Sequence, residues 1–323
     1  MLFYFIVSFF LTPLLFTSSL DDNVHISLSH EHPLTGLLDE NSSRPNPPIY
    51  GSRKISPLLK DKTPTSLTFL FQGDFYPSFF KNIFPQDLLF NQLIVSLESQ
   101  DNSPFVYQGL LDPDFYHVTE VSITGLQPQT NYTLRMGYAR TQTKLHPDFD
   151  FSQSHTLSLC TPASYSHISS LIIFSCCKEG RLGPLPLGKK AVKRAWKAIE
   201  DNIHQAKEMG LQTDAILSLG DTVYPDFPLP MTSRRQFIRS YHRLFHHKPF
   251  KRITQSIPFK GIGDDHAVEN DSSSRDIYVS SSNPWIRARQ EKRFDNGLFA
   301  LRLFELPHQN DTLWRVETIG QQP

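Results

Sequence analysis

The chain has 323 residues, and its 32 Lys+Arg balance 32 Asp+Glu, so no net charge draws it onto nucleic acid or an anionic membrane. An apolar fraction of 39% with 20% charged residues argues against disorder, and 25 Phe with 24 Pro point to aromatic packing with many turns. The length exceeds one ordinary domain, and Cys160, Cys176 and Cys177 are too few and odd in number for a disulfide scaffold.

The run LFYFIVSFFLTPLLF, Leu2 to Phe16, is apolar and gives way to Thr17, Ser18, Ser19 and Asp21-Asp22. It is shorter than the about 20 residues a membrane span needs, and Pro13 would strain a long helix. Residues 1–20 therefore read as a secretory signal, which predicts an exported protein, periplasmic, envelope or extracellular. A retained anchor, giving membrane attachment through the same segment, is the alternative. Residues 21–62, with NSSRPNPPIYGS at their centre, are rich in Pro, Ser, Asn and His and predict a linker or loosely held arm.

Between residues 63 and 163, the runs SLTFLFQG, QLIVSLES, VSITGL and YTLRMGYA are separated by Pro, Gly, Asn and Asp, which predicts a small antiparallel β-sandwich. The segment VSITGLQPQTNYTLRMGY resembles a fibronectin type III-like module, with Leu126, Tyr132 and Leu134 expected in its core and scaffolding as its expected role.

In residues 164–323 the rhythm changes. SSLIIFSCC predicts a strand buried on both faces of a parallel or mixed sheet. From Lys189 to about Met209, Ala195, Trp196, Ile199, Ile203 and Ala206 recur at helical spacing, with Gly210 as the stop. TDAILSLGDTVYPD predicts a second buried strand breaking into a loop. RRQFIRSYHRLFHH predicts a helix with Phe237, Tyr241, Leu244 and Phe245 on one stripe, and with His242, His246 and His247 solvated. IPFKGIGDDHAVEND gives a third strand leading into a loop, and the final FDNGLFALRLFELPHQNDTLWRVETIGQQP predicts at most two strands, with His308 in a Pro-flanked turn. Alternating strands and helices give an α/β fold, whose ligands gather at the strand carboxyl ends.

Three clusters follow the three strands directly: Ser175-Cys176, then Gly220-Asp221-Thr222-Val223-Tyr224, then Asp264-Asp265-His266 with Asn270-Asp271 behind it. Cys176, Asp221 and Asp265 are 45 and 44 residues apart, room each time for one crossover helix. Carboxylates gathered this closely repel unless cations neutralise them, so the pattern predicts a metal site. Blander readings stand beside it: Asp221 as a turn cap, Cys176 as a small core side chain, Tyr224 as packing, Asn270 and Asp271 as caps. Burying His266 beside two carboxylates would be costly.

FSCC, LSLGDTVYPD, the YHRLF helix and GDDHAVEND follow, in order, the pattern of PhoD-like alkaline phosphatases: Ser-Cys after the first strand, a GD-x-x-Y loop, a YR-like helix and a DDHE-x-x-NN loop. From about Leu171 to Asp271 the chain resembles that family, in which a fibronectin type III-like module often precedes the catalytic domain. The resemblance implies a metallophosphatase-like sheet with flanking helices, of which residues 164–323 form a partial copy. It implies hydrolysis of a phosphate-ester substrate, monoester or diester, by a metal-activated water. The implied metal ligands are Cys176, Asp221, Tyr224, Asp265 and Asn270, with Asp264 supporting the loop and His266 catalytic at the leaving oxygen. Thiolate and phenolate suit iron, whereas carboxylate and amide oxygens suit calcium, so both are expected cofactors. The family's Glu after DDH is Ala267 here, and the 52 residues after Asp271 hold no second set of His-containing loops. The alternative is therefore a catalytically inactive, truncated or degenerate exported protein with a binding or structural role.

Overall fold

The computed structural model describes residues 24–29, 48–51, 56–73, 92–99, 102–139, 149–163, 169–174, 189–220, 222–224, 232–262 and 279–305. Among the described residues, ten strands build the first part: β1 (His25–Leu28), β2 (Pro48–Tyr50), β3 (Leu58–Lys62), β4 (Ser66–Gln72), β5 (Gln92–Ser99), β6 (Asn102–Leu110), β7 (Val118–Thr124), β8 (Asn131–Ala139), β9 (Asp150–Gln153) and β10 (His155–Cys160). They form one sheet in the order β1-β7-β4-β3 and a second in the order β6-β5-β8-β2-β9, with β10 also on β8. Three of these strands, β1 to β3, come from residues 21–62, where composition alone predicted a linker. Pairing supplies the order there, since Ile26 lies opposite Ile123 and Leu59 opposite Phe69. The sandwich is also mixed rather than purely antiparallel, because β2 runs parallel to β9.

Alternation explains the packing. Leu67, Phe69 and Phe71 of β4 and Val121 and Ile123 of β7 face the sandwich interior, where they meet Leu93, Val95, Leu134 and Met136 of the other sheet. Leu126, Tyr132 and Leu134 are buried as expected, and the Tyr132 hydroxyl accepts the Gln127 N–H at 2.9 Å. The intervening side chains Leu58, Leu70 and Val118 point the other way and join a second core. One sheet is thus apolar on both faces, which is why SLTFLFQ reads as a nearly continuous apolar run.

That second core belongs to strands β11 (Ser169–Phe174), β12 (Gln212–Ser218) and β13 (Phe259–Gly261), and to helices α1 (Lys189–Glu208), α2 (Arg234–Phe245), α3 (Lys248–Thr254) and α4 (Pro284–Phe304). The strands lie in the order β11-β12-β13 and both pairings are parallel. Helix α1 stops where Gly210 takes φ +75°, a conformation that side-chain-bearing residues resist. Its buried stripe is Trp196 and Ala206 with Val192, Ile199 and Ile203 partly covered, whereas Ala195 faces solvent. Phe237, Tyr241, Leu244 and Phe245 are buried as predicted. Of the three histidines expected to be solvated, only His246 is exposed; His242 lies edge-on to Phe304 at 6.0 Å, and His247 is half-buried just before α3. The abundant Phe form a ladder here: Phe250 contacts Trp196, Phe245 and Phe259 with ring centroids 5.2, 5.3 and 5.1 Å apart.

Two expectations are corrected. At most two strands were expected over residues 294–323, but residues 294–304 form the second half of α4, whose cap Asn283 accepts the N–H groups of Trp285 and Ile286 on its side chain, with Pro284 at the first position. Strand β11 stands at the end of the described sheet rather than inside it. Ile173 is 54% exposed, and by register it shares a face with Leu219 and Ile262, 45% and 42% exposed. Among the described residues, the opposite face, with Ile172, Ile216 and Phe259, meets the helices.

The two parts are tied together where β3 meets α4. The Lys60 ammonium, 6% exposed, donates to the carbonyl oxygens of Phe304 and Glu305 at 2.9 and 3.0 Å, capping the negative end of the helix dipole. Asp61 next to it pairs with Lys260 of β13 at 3.0 Å. Farther along α4, Phe115 stacks on Phe299 at 6.1 Å, and the Arg234 guanidinium sits 3.9 Å over the same ring. Replacing Lys60 by Met should therefore lower unfolding stability in urea by about 2 kcal/mol, the order of a charged hydrogen bond lost from a buried site. Lys197→Ala, which breaks only an exposed i,i+4 pair with Asp201, should shift it by less than about 0.5 kcal/mol.

Candidate functional site

Parallel pairing fixes where the candidate loops begin. Phe174 lies opposite Ser218, and Ser218 opposite Gly261, so the last residues of β11, β12 and β13 stand side by side. The chain leaves all three strands at this one edge, toward Cys176, Asp221 and Asp265 respectively. The Ile262 N–H donates to the Ser218 carbonyl at 3.1 Å and extends the alignment one residue past β13.

The loop after β12 is built locally. Gly220 takes φ +99°, which turns the chain just before position 221. The Ser218 hydroxyl donates to the Gly220 carbonyl at 3.3 Å and lies 3.3 Å from the Thr222 hydroxyl. Thr222 and Val223 are buried, and Tyr224 is half-buried beyond them.

Under this edge sits a residue that the sequence reading passed over. Glu305, immediately after α4, is 1% exposed. One of its carboxylate oxygens accepts from the Thr222 hydroxyl at 2.9 Å, and the other from the Tyr241 hydroxyl at 2.8 Å. The same carboxylate fills the space in front of Gly261, where an added Cβ would overlap it. Glu305 therefore touches the starts of two candidate loops, after β12 and after β13. Its sequence signal was an acid set in an apolar run, Leu303-Phe304-Glu305-Leu306, at the end of a helical spacing. Tyr241, read as core, is core on its ring, stacked on Phe304 at 4.8 Å, and polar at its tip.

Of the predicted site residues, Tyr224 is described, on the loop just given. Cys176, Asp221, Asp264, Asp265, His266 and Asn270 lie outside the described residues, as do Cys177 and His308. Among the described residues no group of three or more His, Cys, Asp and Glu side chains converges as a metal site. None of their helices is long and apolar enough to cross a membrane, and the apolar run Leu2 to Phe16 is not among them. Cys160 is a free, exposed thiol at the end of β10 on the sandwich.

A β-sandwich followed by a parallel sheet with helices defines the class of fold, and solved structures contain a likeness to it. The chain matches the structure of PhoD with a TM-score of 0.51 and 13% identity, over 83% of this chain and 48% of that one. It thus spans about half the length of that protein, and at this identity the likeness concerns the fold. The fibronectin type III domain of human contactin 1 matches 43% of this chain over 98% of its own, with TM-score 0.25 and 10% identity. No protein-family model matches the chain, and no curated protein sequence matches it.

The packing under the edge predicts a steric result. Gly261→Ala drives a methyl group into the Glu305 carboxylate and should cost about 1–3 kcal/mol in urea unfolding, as overpacking of a dense interior does. A variant as stable as the parent would contradict this geometry.

Proposed function

We propose that this chain carries the first part of a metal-dependent phosphoesterase, of the PhoD-like alkaline phosphatase or phosphodiesterase kind, acting on phosphate esters. The observation that supports it most is the register of β11, β12 and β13, which brings the starts of three acid- or thiol-bearing loops to one edge of a parallel sheet. The order of the four motifs along the chain adds to it, as does the broad likeness of fold to PhoD.

The donor set fits metal ions chemically. Asp221, Asp265 and Asn270 offer the oxygens that calcium takes, while the Cys176 thiolate and Tyr224 phenolate suit iron. Tyr224 is only half-buried, compatible with a ligand reached from solvent. Metals bound there would polarise phosphoryl oxygens and activate a water at ordinary pH. The chain's own residues do the remaining work. Asp221, at the Gly220 turn, holds the centre of the site; Asp264 steadies the loop that presents Asp265; His266 gives a proton to the departing oxygen of the ester. Export through the first 20 residues would place this chemistry outside the cytoplasm.

The full chain, loaded with iron and calcium, should hydrolyse p-nitrophenyl phosphate or its bis-ester at alkaline pH, and chelation should stop it. Asp221→Ala should lose more than the roughly 10- to 100-fold that removal of an outer-shell partner costs a metal site. Equal rates in parent and variant would end the assignment, and a folded chain that takes up no metal would favour a binding or structural role.

A further inference from the structure

We infer that Glu305 is a positioning residue that fixes the loop after β12, at Thr222, against α2 and the end of β13. This rests on the phosphoesterase reading for its consequence, though its geometry stands apart from it. The carboxylate is buried, so each oxygen requires a donor. It finds them on two different elements: Thr222, adjacent to Asp221, and Tyr241 on α2. The face against Gly261 is closed by direct contact, four residues before Asp265.

The arrangement works in one direction. Glu305 itself is anchored from behind: its N–H donates to the Leu301 carbonyl at 2.9 Å, and its own carbonyl accepts from Lys60 at 3.0 Å. Helix α4 is in turn held to the segment just before α2, where the Asn296 amide donates to the Thr232 carbonyl at 2.7 Å. The rigid partner is therefore the helix end, and the loop is what it holds. Thr222 gives up its side-chain freedom to a carboxylate whose other oxygen is already committed to Tyr241. The described part of this loop is consequently set at two points, by the Gly220 turn and by the Thr222 anchor. Outer partners of this kind orient the groups that hold a metal.

Thr222→Val removes the loop-side hydroxyl with little change of shape. Thr254→Val is the matched control, another buried threonine, whose hydroxyl bonds the Phe250 carbonyl at 2.8 Å away from the edge. Two readouts are taken on the full chain: amide hydrogen exchange of residues 219–224 without metal, and affinity for Mn2+ alone, followed by its electron paramagnetic resonance. Thr222→Val should speed exchange in this segment at least about tenfold and weaken Mn2+ binding about 10- to 100-fold, whereas Thr254→Val should leave both within about twofold. Glu305→Gln, which keeps the shape, should follow Thr222→Val in exchange. Unchanged exchange in Thr222→Val, or equal change in the control, overturns the inference whatever the metal does. If exchange responds as expected while the parent binds no Mn2+, the positioning role stands and the phosphoesterase reading falls.

Discussion

The structure depends on one buried carboxyl group, that of Glu305. A carboxylate withdrawn from water costs several kcal/mol unless its oxygens are satisfied, and removing one partner of such a group costs more than the pair contributes net. At Glu305 the satisfaction comes from a strand-end loop and a helix, while a lysine from the sandwich caps the same residue's main chain. Four elements far apart in sequence, β3, the loop after β12, α2 and α4, are thereby required to meet at one point.

The same point joins the two parts of the chain. Sheet β1-β7-β4-β3 is apolar on both faces, so the sandwich would expose Leu58, Leu70 and Val118 if it stood alone. Those side chains complete the core that carries Trp196, Phe237 and Phe259. The first part is thus a wall of the second, and burial leaves the Lys62 ammonium of β3 with a pKa below its ordinary value, against the opposing pull of Asp214 and Cys160. The scaffold that supports the parallel sheet is in this sense half all-β.

Strong local signals in the sequence carried over into the structure. The α1 helix with its glycine stop, the α2 stripe and the three strands feeding acid- or thiol-bearing loops follow from local patterns that a single element carries by itself. Weaker were the features set by pairing. Residues 25–28, 48–50 and 58–62 lie among Pro, Asn and Ser and become strands only because β7, β8 and β4 offer partners. The end of α4 was misread as strand because Leu298, Phe299, Leu301, Leu303 and Phe304 form an almost unbroken apolar run, and short apolar runs do not distinguish the two states; Asn283-Pro284 was the overlooked start signal. Glu305 was invisible for a different reason. Its importance lies in contacts with residues 83 and 64 positions away, and no local spacing encodes these.

The central claim is that the carboxyl edge of the three parallel strands holds a shared metal site above Glu305. Anomalous scattering from crystals of the full chain soaked in Mn2+ tests it most directly. The account predicts a peak at that edge, with oxygens of Asp221 and Asp265 both within about 2.0–2.6 Å of it. A peak at the opposite end of the sheet, or Asp221 and Asp265 on opposite sides of the domain, would contradict it.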